Sequence, residues 1–363
     1  MALQEYKCAN CGGPITFDSR IQKMKCPHCG AELDVEGLRA LDEDQQNSQP
    51  DDLTWNLHRA PWQEGETDSL RVYLCRSCGG EIVGDQNLAA TSCPYCGNPV
   101  VMVEQVSGVL RPDIVIPFKL DKEQAKDGLK TYLKGKPFLP KIFRDRQHID
   151  EVKGVYLPFW LFDADADADV RYGARRTRAW SDSNYNYVET SHYTLYRAGR
   201  LGFDKIPVDG SQKMPNDLME SIEPFDFADA VDFQTAYLSG YFAEKHDVDA
   251  EQSVTRANAR VRRSVDERLA ASTLGYEAVT TESSNVRIRN GEVTYALLPV
   301  WLLNTMWKGT RYTFAMNGQT GKFVGDLPIS VSALWKWRAI LTAAFTVAIS
   351  ALLALFLTMP AGG

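Results

Sequence analysis

Apolar residues recur along this chain at two periods, and their alternation predicts most of its elements. Ile114-Val115-Ile116-Pro117-Phe118 is an unbroken apolar run of strand length. Asp121 follows, and Ala125, Leu129, Tyr132 and Leu133 then repeat at helical spacing. With Gln124 three residues after it, Asp121 reads as the N-cap of a capping box. The same order returns later: an apolar stretch Thr235–Phe242 predicts a strand, Asp249 and Gln252 a second cap, and Val254, Ala257, Val261, Val265 and Leu269 a second apolar stripe. Beyond each helix lies a closely similar strand, Leu157-Pro158-Phe159-Trp160-Leu161-Phe162 and Leu298-Pro299-Val300-Trp301-Leu302-Leu303. Tyr185 to Tyr196 and Tyr312 to Met316 read as further strands. The pattern predicts an α+β fold in which residues 109–330 form a duplicated β-α-β-rich domain, helices lying on one face of a shared sheet.

Two other stretches break the pattern. Residues 37–70 are expected to be a flexible linker: from Asp42 to Asp68 the chain is acidic and loop-like, with Asp42, Glu43, Asp44, Asp51, Asp52, Glu64, Glu66 and Asp68 against Arg59. Trp55 and Trp62 are unusual there; they are either anchors that dock the linker or adventitious. At the other end, Ala339 to Met359 carries no charge, and as a helix would be about 31 Å long at ~1.5 Å per residue. Residues 335–359 are therefore expected to be a single transmembrane helix with an interfacial flank, Lys336 and Arg338 holding the N-terminal bulk in the cytoplasm.

The eight cysteines carry the candidate chemistry. Cys8, Cys11, Cys26 and Cys29 form two C-x-x-C pairs, and Cys75, Cys78, Cys93 and Cys96 form two more with the same 14-residue separation. Each pair is followed by glycine, as in Cys26-Pro27-His28-Cys29-Gly30 and Cys93-Pro94-Tyr95-Cys96-Gly97. Two intervening residues let both sulfurs of a tight turn reach one metal, and two such knuckles complete a tetrahedral S4 site. Residues 1–36 and 71–104 are thus expected to be two small β zinc ribbons with structural Zn2+, iron being a possible substitute. The opening Met1–Lys7 has no apolar export run, so disulfides in a secreted protein are not expected.

Composition narrows the classes. Hydrophobic residues at 44% and charged residues at 24% exclude wholesale disorder, and a net charge of −7 argues against a chain-wide grip on nucleic acid. His28, His58, His148, His192 and His246 are scattered, with no H-E-x-x-H or G-x-S-x-G, so no catalytic residue is assigned and an enzyme is not expected. Gly318-Gln319-Thr320-Gly321-Lys322 lacks the spacing of a phosphate loop. Asp163, Asp165, Asp167 and Asp169 alternate with alanine and would share one face of a strand, as a calcium site or a solvated face. Arg175, Arg176 and Arg178 would meet lipid phosphates or simply decorate a turn.

Taken together, the paired ribbons, the L-P-F-W and L-P-V-W strands, the run Met316–Lys322 and the terminal apolar stretch resemble a group of bacterial membrane-anchored double zinc-ribbon proteins. These carry transcription-factor-IIB-type ribbons and are often labelled primosomal-helicase-like; the missing phosphate loop rejects the helicase reading. Some members are associated with phage-shock-type and flotillin-like (SPFH) membrane-stress proteins. The resemblance implies an adaptor that recruits protein partners to the inner face of the bacterial membrane, or alternatively a membrane-tethered nucleic-acid-binding regulator.

Overall fold

The computed structural model describes residues 7–8, 11–37, 53–57, 60–85, 92–105, 110–144, 149 and 151–358. They divide into two compact units. Unit 1 takes its described residues from Met1–Leu57, Phe162–Ile206 and Val254–Val293; unit 2 takes them from His58–Leu161, Pro207–Ser253 and Thr294–Gly363.

Unit 2 is built on a large mixed sheet. Its strands are β5 (Leu70–Leu74), β6 (Glu81–Asp85), β7 (Val101–Gln105), β8 (Ile114–Val115), the first part of β9 (Lys153–Ser181), β11 (Val231–Asp232), β12 (Phe242–Glu244) and the last part of β13 (Ala278–Trp307), in the order β11-β8-β13-β9-β12-β6-β5-β7. β14 (Thr310–Asn317) pairs antiparallel with β13, and β15 (Phe323–Gly325) with β14. The central strands are the two L-P-x-W segments. Leu157, Phe159, Leu161, Leu298, Val300 and Leu302 share one face and enter one core cluster, while Trp301 and Leu303 on the opposite face enter another, so the second segment is covered on both sides. Helix α1 (Lys122–Leu133) begins with the full capping box, the Asp121 carboxylate accepting from the Gln124 amide at 2.8 Å and Gln124 Oε1 from the Asp121 amide at 2.9 Å. Its buried face is Ala125, Leu129 and Leu133, which packs with Trp301 and Leu303.

The two L-P-x-W strands are held by the same set of contacts, with the strand pairings and indole bonds running to the opposite half of the chain. Ile114 and Val115 pair in parallel with Ala296 and Leu297, just ahead of Leu298; Phe242 and Ala243 pair in parallel with Val155 and Tyr156, just ahead of Leu157. Trp301 Nε1 donates to the carbonyl of Leu120 (3.1 Å), the residue before the Asp121 cap, and Trp160 Nε1 donates to that of Val248 (2.9 Å), the residue before Asp249. The proline carbonyls are matched too: Pro299 accepts from the Gly318 amide and Pro158 from the Gly210 amide, both at 2.8 Å. Each of those glycines accepts in turn from two amides ahead of a helix, Gly318 from Lys119 and Leu120, Gly210 from Asp247 and Val248. The run that mimics a phosphate loop is therefore a packing device. A Cβ on Gly318 would come within 2.6 Å of the Phe118 ring, and Asn317, fully buried, donates to the carbonyls of Ile222 and Pro224 at 3.1 Å.

Unit 1 contains the rest of β9 and β13, most of β10 (Asn186–Asp209), the short β4 (Asn56–Leu57) and nearly all of α3 (Ala250–Ala270); between α1 and α3 the chain forms α2 (Asn216–Ser221), which belongs to unit 2. Along β9 the alternation expected of a strand is complete: Ala166, Ala168, Val170, Tyr172 and Ala174 are buried with Val261, Val265 and Leu269 of α3, while the aspartates face outward. The outward face is a ladder of ion pairs. Asp167 meets Arg200 (2.8 Å) and Arg289 (2.6 Å), Asp169 meets Arg287 (3.4 Å), and Asp163 accepts from the Lys205 amide (2.7 Å). The Arg200 guanidinium holds the Asp167 carboxyl below the usual carboxylate range. The aspartates are thus cross-strand partners, neither a calcium cage nor a bare solvated face. Arg176 lies over Tyr193 and Tyr276, and Arg178 over Trp180, so these arginines cap aromatic rings.

Several expectations need correction. Thr235–Phe242 is not a strand: Thr235–Leu238 is a 3-10 turn, Gly240 takes φ +83°, and only Phe242–Glu244 is extended. Within the expected linker, residues 38–52 and 58–59 lie outside the described set. The rest is docked: in unit 1 Trp55 Nε1 donates to Asn258 (2.8 Å) and its ring meets Phe162 edge-on, and in unit 2 Trp62 meets Phe233 while Glu66 forms a two-pronged pair with Arg111.

The α+β fold with a large sheet is present, but among the described residues its expected membrane helix is not. The C-terminal helix α4 spans Val331–Thr358. Among the described residues no helix is long and apolar enough to cross a membrane. Lys336 and Arg338 sit inside α4, within its first turns rather than ahead of it. The single-pass topology, the inner-membrane location, the engagement of a lipid bilayer and the membrane-tethered functions built on them, adaptor and nucleic-acid regulator alike, are accordingly withdrawn.

Candidate metal centres

Each C-x-x-C-G segment folds into the same knuckle. The amide of the residue after the second cysteine donates to the carbonyl of the first: Gly12 to Cys8, Gly30 to Cys26, Gly79 to Cys75 and Gly97 to Cys93, at 2.8–3.0 Å. All four glycines have φ between +70° and +75°, a region where a side chain is strained, which is why glycine ends every pair. The knuckles carry a second shared feature: the ring of the residue between the later cysteines lies over a glycine of the earlier knuckle. A Cβ on Gly13 would be 3.0 Å from His28, and one on Gly80 would be 3.3 Å from Tyr95.

These turns gather the thiols into two groups, Cys8, Cys11, Cys26 and Cys29, and Cys75, Cys78, Cys93 and Cys96, each with all sulfurs within 4.8 Å of one another. Cys8–Cys29 and Cys11–Cys26 are 3.5 and 3.6 Å apart; Cys75–Cys96 and Cys78–Cys93 are 3.4 and 3.7 Å. Metal–sulfur bonds of about 2.3 Å in a tetrahedron place sulfurs about 3.8 Å apart, so both groups fit the edges of a tetrathiolate cage and could chelate a metal ion.

The surroundings of the two centres differ sharply. The first lies in a sheet of its own, β1 (Thr16–Asp18), β2 (Lys23–Lys25) and β3 (Glu32–Leu33), over a core of Cys8, Ile15 and Cys26 fringed by Met24, Ala31 and Leu33; Cys11 and Cys29 are exposed. The second is part of unit 2. β6 pairs antiparallel with β12, and Cys75, Cys93 and Tyr95 are buried in the same cluster as Val155, Leu157 and Leu302. Its later knuckle is clamped from the sheet: Lys153 Nζ donates to the carbonyls of Ser92 (2.9 Å) and Cys93 (3.3 Å), and Asn304 Nδ2 to that of Pro94 (2.7 Å). Burial pulls the Lys153 ammonium below the ordinary lysine range. Lys153 and Asn304 escape sequence reasoning because neither belongs to the cysteine motif. They flank the L-P-F-W and L-P-V-W runs, whose strand prediction was the only available pointer.

Beside Tyr95, Glu244 of β12 is 3% exposed and accepts from the Ser211 hydroxyl at 2.8 Å. Burial pushes its carboxyl up to about 8. Because this folded value lies above the unfolded one, the native state holds a proton the unfolded chain has lost, and stability falls as pH rises from about 4.5 to about 8. Glu244→Gln is expected to remove that decline, which is at most about 1.4 kcal/mol per pH unit for one proton. Urea midpoints of both proteins between pH 5 and 8 check this; parallel profiles would count against it.

Among known proteins, the chain is 32% identical over 332 residues to a protein of Bacillus subtilis (strain 168) described as the uncharacterized protein YdjG, the match covering 92% of each. No family model matches the chain. No solved structure matches it. These findings replace the expected place among membrane-anchored double zinc-ribbon proteins. Neither the primosomal-helicase-like label nor a link to phage-shock-type or SPFH partners has support in them, and the anchor that defined the group is missing from the described residues.

Proposed function

The chain belongs to the family of YdjG, and for this member we propose a non-catalytic protein that binds two structural Zn2+ ions. One ion holds a self-contained ribbon; the other acts as a folding determinant of unit 2. The observation that carries the reading is that all eight cysteines fall into two cages of tetrahedral dimensions, the second of them inside the core. With four thiolates a cage has no position for water or substrate, so its metal supplies stability rather than Lewis-acid chemistry. Zinc suits the donors because it has no redox change and no geometric demand that conflicts with a tetrahedron. Iron would fit the same sulfurs, and metal analysis separates the two.

Elemental analysis of the purified full chain is expected to give two zinc per chain, with iron only in traces. One metal per chain, or iron as the main element, would overturn the proposal.

A further inference from the structure

The outward positions of β9 in unit 1 run Asp163, Asp165, Asp167, Asp169, Arg171, Gly173, Arg175. Long side chains fill this face except at Gly173, which leaves a gap in the ladder between two arginines. The gap opens into a cleft of about 700 Å³, within the range of small-molecule sites, lined by Arg171 and Arg175, by His192 and Thr194 of β10, and by Thr280 and Glu282 of β13. Glu282 is the lining carboxylate, and it is already neutralised: Arg171 Nε donates to it at 2.9 Å. It lies across the floor, where a Cβ on residue 173 would meet its Oε1 at 2.6 Å. The Thr280 hydroxyl donates to the Gly173 carbonyl at 3.2 Å. Arg175 and His192 are exposed at the rim, and neither side chain has an ion pair or hydrogen bond among the described residues. The cleft therefore presents uncommitted donors and a surplus of positive charge, in contrast to the compensated ladder beside it.

We infer that this cleft binds a small oxyanion, a molecule bearing a carboxylate or phosphate group, through the Arg175 guanidinium with His192 opposite. A planar guanidinium offers two parallel donors to such a group, and the cleft volume gives it room. The site is independent of the metal centres.

Calorimetric titration of the full chain with inorganic phosphate and, separately, with citrate tests this, with sodium chloride holding the ionic strength constant. Saturable binding of at least one probe is expected, and the probe that binds identifies the group. Arg175→Gln should weaken it at least about tenfold, whereas Arg178→Gln, which removes the same charge from the same strand outside the cleft, should leave it nearly unchanged. Absence of saturable heat with both probes would overturn the inference. So would equal weakening by the two variants, which marks a general effect of charge.

Discussion

Cys93→Ser is expected to abolish cooperative unfolding of unit 2, while Cys8→Ser leaves that transition in place. Both variants should lose one zinc per chain, since three thiolates and a hydroxyl make a poor cage for the metal. The difference lies in what each cage supports. Structural zinc contributes about 10–16 kcal/mol of binding free energy in small ribbons, comparable to the whole 5–15 kcal/mol net stability of a typical domain. At the first centre that free energy holds three short strands and a core of a few residues. At the second it holds β5, β6 and β7, which continue through β12 into the main sheet, and a knuckle whose carbonyls receive Lys153 and Asn304. Opening that knuckle exposes Tyr95 and leaves the Lys153 ammonium without its acceptors. Near-ultraviolet circular dichroism and urea unfolding, read beside zinc content, give the comparison. Equal losses of cooperativity in the two variants would show that the second centre is as peripheral as the first.

Trp160→Ala is expected to destabilise unit 2 by about 3–5 kcal/mol, the range for truncating a large buried aromatic. Trp160 is 1% exposed and stacks obliquely on Tyr295, centroids 4.9 Å apart, with the His246 ring at 5.4 Å. Its indole also satisfies the Val248 carbonyl at the start of α3. Trp160→Phe keeps most of the ring and removes that donor, so it should cost about 1 kcal/mol for the hydrogen bond plus the lost edge of the ring. Denaturant midpoints at unchanged slope measure both. A loss below about 1 kcal/mol in the alanine variant would contradict the anchoring role of the L-P-x-W tryptophans.

The two cysteine clusters were legible because a knuckle is a local object: spacing, proline and glycine within a few residues dictate it. The helices were legible for the same reason, through Asp121 with Gln124 and through the stripes Ala125–Leu133 and Ala257–Leu269. What the motif hid was the unequal standing of the ribbons, since both spell the same cysteines. A quieter signal did distinguish them. The first ribbon's strands read Thr-Phe-Asp and Lys-Met-Lys, while the second's read Leu-Arg-Val-Tyr-Leu and Glu-Ile-Val-Gly-Asp, with the apolar positions needed to join a larger core. The aspartate stripe was legible as a face but not in its pairing, because Arg200, Arg287 and Arg289 arrive from distant strands. The cleft at Gly173 was invisible for a related reason. A missing side chain matters only when its neighbours across the sheet are long.

The reciprocal tryptophan bonds bear on how such a chain can be divided. Trp301 caps the helix start at Leu120, and Trp160 caps the one at Val248, so each half lends its indole and receives the other's. A polypeptide carrying one half alone would have a donor without its acceptor and a helix entrance without its lock. It could close only by meeting another copy of itself, and joining two copies in tandem turns that encounter into an intramolecular one.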